Sequence, residues 1–303
     1  MNILLLGKTG QVGQSLLKNN SKHKVFSFNR NEMPLDNQKK LSNNLSNVLA
    51  KHKIDFLINA AAFTDVNEAE NNQRLAYEVN ANSLLTITKE IKKSLKKNNT
   101  VLIHFSTDYV FNGYGNKPWL PDSETNPLNF YGRSKIRGEE IIRDSLIPAL
   151  VLRTSWVFSQ NGNNFLKKIV KKIKNQELLK IVDDQIGSPT SSEFISQFCF
   201  HAMENKHLQG RLGTYHLTAK GVTSWFSFAK YIAGIASKKG IISPNALEKI
   251  LPVKSSSFNS KVKRPLNSRL DCSTLEENFN FSRTSWQQQT KDVLDLIFSK
   301  KNE

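Results

Sequence analysis

The first seventeen residues constrain the fold more than any other stretch. Asn2–Leu6 is a run fit for a strand buried on both faces. It leads straight into Gly7-Lys8-Thr9-Gly10-Gln11-Val12-Gly13, and Val12–Leu17 then opens a helix. The glycine spacing, G-x-x-G-x-x-G, is a variant of the dinucleotide-binding fingerprint. Glycine is needed there because the turn is tight and the backbone must come close to a pyrophosphate. The helix that follows offers unpaired N–H groups and the positive end of its dipole to that anion. Three glycines alone say little. Placed between a buried strand and a helix, they call for an α/β fold.

The rest of the first half keeps the same rhythm. Strands are expected at Lys24–Phe28, Asp55–Asn59, Val101–Phe105 and Ala149–Leu152. Between them lie amphipathic segments at Leu41–His52, Asn72–Lys97 and Tyr131–Asp144. Alternation of this kind builds a parallel sheet with helices on its faces. The expectation is a Rossmann-type doubly wound parallel sheet with a smaller α/β substrate-binding region. Residues 1–152 are assigned to the dinucleotide domain. Residues 153–303 are assigned mainly to the substrate region, with some elements returning to the sheet. Helices are expected there at Asn164–Lys174, Glu193–Glu204, Trp225–Ser237 and Ser285–Ser299, and extended segments at Leu178–Val182 and Thr214–Leu217. Pro and Ser cluster at Leu251–Pro265, which reads as a surface loop.

Composition removes several classes. The longest apolar blocks, such as Ala60–Phe63, fall far short of the ~20 residues of a membrane span. The N-terminus lacks a basic n-region, so a soluble, cytoplasmic chain is expected. Cys199 and Cys272 make no disulfide framework, and the six histidines form no ligand set. The net charge of +17 could attract nucleic acid. However, Lys92-Lys93, Lys96-Lys97, Lys167-Lys168 and Lys171-Lys172 fall at helical spacing opposite apolar faces, as solvated helix surfaces do. No nucleic-acid or membrane partner is expected.

The cofactor's adenosine end is read at Asn29-Arg30, just past the second strand. An acidic residue there would favour NAD, whereas Arg30 can pair with a 2′-phosphate. NADPH is therefore expected, with NADH as the alternative. Small residues in Asn59-Ala60-Ala61-Ala62-Phe63-Thr64, after the third strand, would let the ribose and nicotinamide lie against the backbone.

Tyr131 and Lys135 form Tyr-x-x-x-Lys on an expected helix, which puts both on one face about 5–6 Å apart at Cβ. A tyrosine pKa near ~10 is high for proton exchange at neutral pH, and a nearby ammonium lowers it. Ser106-Thr107-Asp108-Tyr109-Val110-Phe111 ends the fourth strand, where a hydroxyl can polarise a substrate carbonyl. A glycine-rich turn, a strand-4 Ser/Thr pair and a Tyr-x-x-x-Lys helix, in that order, resemble the extended short-chain dehydrogenase/reductases.

Longer runs resemble one member family, dTDP-4-dehydrorhamnose reductase. They are Leu4–Gly13, Asn59–Val66, Ser106–Phe111, Arg153-Thr154-Ser155-Trp156-Val157-Phe158, Asp184–Thr190 and Arg264–Leu270. The resemblance runs nearly end to end. It implies NAD(P)H-dependent reduction of the C4 keto group of dTDP-4-dehydro-L-rhamnose to dTDP-L-rhamnose. It implies Thr107, Tyr131 and Lys135 as catalytic residues. Gly7, Thr9, Gly10, Gln11, Val12, Gly13, Asn29, Arg30, Asp36, Ala61, Ala62, Phe63, Thr64, Tyr131 and Lys135 would hold the cofactor. Thr107, Asp108, Tyr109, Tyr131 and Trp156 would hold the sugar nucleotide, and a homodimer is compatible with it.

Two departures matter. Some relatives bind Mg²⁺ at a dimer interface through glutamates. Here Gln14-Ser15 and Leu296 replace two of them and Glu193 alone fits, so no metal site is expected. Asn29 stands where the family often has an acidic residue, which keeps NADH open. Rival readings are a reductase or epimerase of another nucleotide-sugar, and a non-catalytic NADP-binding regulatory subunit like that of methionine adenosyltransferase. A dehydratase would carry Asp-Glu after Thr107, and this chain has Asp108-Tyr109.

Overall fold

A computed structural model describes residues 1–95, 98–175, 177–258 and 260–299. Five strands follow the expected rhythm: β1 (Asn2–Leu6), β2 (Lys24–Phe28), β3 (Phe56–Asn59), β4 (Val101–Thr107) and β5 (Ala149–Thr154). All pair in parallel, in the order β2-β1-β3-β4-β5, and Gly213–His216 adds a sixth parallel strand beside β5. The order reverses between β1 and β3. In open α/β sheets ligands sit at the carboxyl ends of the strands beside such a switch point.

Both faces are buried, as a parallel sheet requires. Side chains alternate across each strand. Ile3 and Leu5 pack beneath helix α1 (Gln11–Asn19) and Ser192–Met203, with Leu16, Phe194 and Phe198. Leu4 and Leu6 face the opposite layer with Leu41, Leu84, Ile87 and Ile142. The second half has its own core, in which Leu166, Ile169, Phe228, Val293 and Leu294 join helices Phe165–Lys174, Trp225–Lys238 and Trp286–Ser299. No helix among the described residues is long and apolar enough to cross a membrane.

Two expectations change. The single helix over Asn72–Lys97 is broken by a π turn at Glu78–Asn82, between Gln73–Tyr77 and Ser83–Ser94. Residues 96 and 97 lie outside the described residues. Wider turns of this kind often mark functional positions. Here the turn presents Asn80, whose Oδ1 accepts from Phe63 N (2.9 Å) and whose Nδ2 donates to Ser134 Oγ (3.0 Å). Leu251–Pro265 is not simply a loop. It contains most of a strand, Ile250–Val253, paired in parallel with Leu179–Val182, because Ile250 and Leu179 bury into the second core.

Candidate active site

The glycine turn stands at the carboxyl end of β1. Gly7 has φ +85°, and a Cβ there would lie 2.8 Å from the Ala60 carbonyl carbon. At Gly13 a Cβ would lie 2.1 Å from Gly7 O, so the start of α1 can pack directly on the turn. Gly10 caps α1 without a side-chain bond, which leaves the first N–H groups facing outward. A cavity of about 470 Å³ opens over this turn.

Its wall contains Gly7, Thr9, Gly10, Gln11, Val12, Asn29, Arg30, Asp36, Ala61–Thr64, Tyr131 and Lys135. Gly13 lies behind the wall, in contact with Gly7. At one end Asn29 Oδ1 accepts from Asn31 N and Glu32 N, while Arg30 pairs with Asp36 at 2.6 Å. Glu32 accepts from Asn29 N and pairs with Lys8 at 2.8 Å, which holds its carboxyl below the usual range. Met33 and Leu35, buried in the sheet's core, form the apolar part of this end.

At the other end stand Tyr131 and Lys135, on helix Phe130–Ser145. Asn129 caps that helix by accepting from Gly132 N (2.9 Å), and also donates to Lys263 O (2.9 Å). One turn past Lys135, Glu139 takes a buried bidentate contact from Arg153 of β5 (2.7–3.1 Å) and a hydrogen bond from Ser106. The helix is thus locked to the sheet by charge-assisted bonds.

Lys135 Nζ donates to Phe105 O (2.7 Å) and lies 3.2 Å from His104 Nε2, whose Nδ1 lies 3.3 Å from Asn59 Nδ2. Burial pulls Lys135 down to about 8, against the raising effect of Glu139. Burial, and then Lys135, hold His104 well below its ordinary value, hence neutral. Tyr131 is pushed up to about 12 by burial, with a hydrogen bond to the Thr107 hydroxyl opposing and Asp108 adding a smaller upward push. Where lowering by Lys135 was expected, burial sets the direction instead. At neutral pH Tyr131 therefore keeps its proton. Asp108 is raised to about 6 by burial, with the Ser268 and Thr107 hydroxyls opposing.

A second cavity of about 800 Å³ is lined by residues of both halves. Tyr109 lines it, and the Tyr109 and Tyr131 rings meet edge to face at 5.8 Å, so the two cavities adjoin there. Its wall carries the cations Lys180, Lys263 and Arg264, the aromatic rings of Phe165, Trp225 and Phe258, and Gln185 and Ser255. Thr107 and Asp108 stand on neither wall but directly precede Tyr109 of the second cavity, with Thr107 Oγ1 donating to Asp108 Oδ1 (3.1 Å). Trp156 is not on either wall. It has φ +50° and stacks on Trp225 at 3.7 Å, over Gly187. Its stacking partner Trp225 lines the second cavity.

The RmlD substrate binding domain family matches residues 1–298. The dTDP-4-dehydrorhamnose reductase of Escherichia coli K12 is 35% identical over 99% of both chains. The chain belongs to the dTDP-4-dehydrorhamnose reductase family. Solved structures agree. The dTDP-4-dehydrorhamnose reductase of Clostridium acetobutylicum superposes with a TM-score of 0.86 at 27% identity, covering 98% of this chain and 99% of that one. That of Bacillus anthracis, solved in complex with NADP, also gives 0.86 at 27% identity, covering 97% and 98%.

Several wall residues of this family member escaped the sequence reading. Thr154, Val157, Gly162 and Asn163 line the first cavity from the second half of the chain. Gln11 Oε1 accepts from Ser159 Oγ (3.1 Å) and Asn164 Nδ2 (2.8 Å), which ties the glycine turn to that half. Among the described residues no three His, Cys, Asp or Glu side chains gather as metal ligands.

Proposed function

We propose that this protein reduces the C4 keto group of dTDP-4-dehydro-L-rhamnose to dTDP-L-rhamnose, with NADPH as the reductant. The observation that carries the reading is the position of Tyr131. It is buried on the wall of the cavity over the glycine turn and in edge contact with Tyr109 of the neighbouring cationic cavity.

The first cavity fits a dinucleotide. A side chain at Gly7 would collide with the Ala60–Ala61 backbone, so only glycine keeps this turn in place beneath the α1 N-terminus, whose N–H groups suit a pyrophosphate. Bound NADPH supplies a hydride to the sugar's C4. The exposed Arg30, paired here with the half-buried Asp36, would hold the 2′-phosphate. Lys135, which here donates to the Phe105 carbonyl, would hold the nicotinamide ribose. Thr107 bonds the keto oxygen, and Tyr131 gives it a proton as negative charge develops there. With a pKa pushed up to about 12, Tyr131 is protonated before the reaction, as an acid must be. Lys180, Lys263 and Arg264 supply positive charge for the substrate diphosphate. Asp108 and Tyr109 would flank the sugar, with Trp156 behind Trp225. The reading includes a cytoplasmic location and a homodimer.

The test is loss of NADPH absorbance in the presence of dTDP-4-dehydro-L-rhamnose, with the product identified by mass and NMR. Sugar-dependent oxidation giving dTDP-L-rhamnose is expected. Tight NADPH binding without turnover, or turnover only of a different keto-sugar, would contradict the substrate assignment.

A further inference from the structure

We infer that the Thr154 hydroxyl holds the carboxamide of the nicotinamide. The inference rests on the reading of the first cavity as the NADPH site.

Thr154 ends β5 and is register-paired with Thr107 of β4, so both side chains leave the same face at the carboxyl edge of the sheet. It is 7% exposed, and its Oγ1 has no hydrogen-bond partner among the described residues. Buried hydroxyls are almost always paired. Valine would fill this strand position equally well, so an unpaired hydroxyl here asks for a ligand.

The cavity itself identifies that ligand. A dinucleotide with its pyrophosphate on the Gly7–Val12 turn has its adenosine at Arg30 and Asp36. Its nicotinamide then lies at Phe105, Val157, Tyr131 and Thr154. Phe105 and Val157 suit the flat apolar ring. The other polar groups at that end have partners within the protein, and in the proposed reaction Lys135 goes to the ribose while Thr107 and Tyr131 go to the keto oxygen. Ser106 bonds Glu139, Thr107 Oγ1 bonds Asp108 and Tyr109 N, and Lys135 bonds the Phe105 carbonyl. Thr154 Oγ1 remains, and a carboxamide NH2 is the donor that matches it.

The test is titration of the purified protein, without sugar, with NADPH and with the reduced 3-acetylpyridine analogue, in which a methyl replaces the amide nitrogen. Wild-type protein is expected to bind NADPH roughly 2- to 10-fold more tightly than the analogue, the range of one neutral hydrogen bond. Thr154→Val should weaken NADPH by that factor and leave the analogue unchanged. Thr154→Ser, which keeps the hydroxyl, should restore the discrimination. Equal weakening of both ligands by Thr154→Val, or no weakening of either, overturns the inference. So does a Thr154→Ser variant that discriminates no better than the valine form. Wild-type protein that binds neither ligand overturns the cofactor reading first, and this inference with it.

Discussion

The two cavities are built in different ways. The one over the glycine turn is shaped by backbone. Gly7 admits the close approach, Gly13 lets α1 pack on the turn, and small residues follow β3. The other is shaped by side chains from distant segments, with Tyr109, Phe165, Lys180, Trp225, and Phe258 with Arg264 converging from five parts of the chain. A backbone-built site leaves a compact signature in the sequence, because steric limits fix residue type and spacing locally. A site assembled from separate segments leaves none. The first cavity should therefore serve a shared ligand and the second a particular one. Substitutions in one should leave the other's ligand alone.

Tyr131, at the seam, should separate chemistry from both binding events. Tyr131→Phe is expected to lower kcat by roughly 10²-fold or more, from loss of the general acid. NADPH affinity, read by titration, should stay within about twofold. A comparable loss of cofactor binding would show that the residue belongs to one cavity only.

Arg264 tests the second cavity alone. It donates to Asn67 Oδ1 (2.7 Å) and lines the wall near Lys263. Arg264→Met should raise KM for the sugar nucleotide by about 10-fold, the scale of one charge-assisted bond. KM for NADPH should not move, and an equal rise in both would break the separation.

Lys135 makes the first cavity pH-sensitive. Its folded pKa lies below the ordinary lysine value, at about 8. Its charge is therefore present below that pH and lost as pH rises through it. In the free enzyme kcat/KM should fall above pH about 8, approaching tenfold per unit. Lys135→Arg, whose guanidinium stays charged, should lack that fall whatever its absolute rate. A profile flat through pH 9 in the wild type would contradict the role given to the ammonium.

The smallest effect is expected at the adenosine end. The Arg30 side chain is 70% exposed, so solvent screens its pairing with Asp36 or a phosphate. Arg30→Ala should reduce the preference for NADPH over NADH by roughly 2- to 5-fold, read as the ratio of the two kcat/KM values. An unchanged ratio would move 2′-phosphate recognition elsewhere.

The contrast also explains what could be read in advance. The sheet was legible because each strand is a short buried run between amphipathic segments. The glycine turn and Tyr131 with Lys135 were legible because close approach and helical spacing are local properties. Asn80 was not, since it faces Phe63 and Ser134 only because a π turn shifts its direction. His104 looks like an ordinary buried strand residue until β3 brings Asn59 beside it. Thr154 was quoted only as part of a longer run, and its free hydroxyl becomes visible only once Ser106 and Thr107 are seen to be engaged. The segment 251–265 misled for a related reason. Its Pro and Ser residues suggest solvent, yet Ser255, Phe258 and Arg264 line the second cavity.

The central claim, that cofactor and sugar meet at Tyr131 for hydride transfer to C4, is tested most directly with NADPH deuterated at the transferable position. One turnover with dTDP-4-dehydro-L-rhamnose should yield dTDP-L-rhamnose carrying deuterium at C4 alone, read by NMR. Deuterium at another carbon, or none in the sugar while NADPH is consumed, would contradict it.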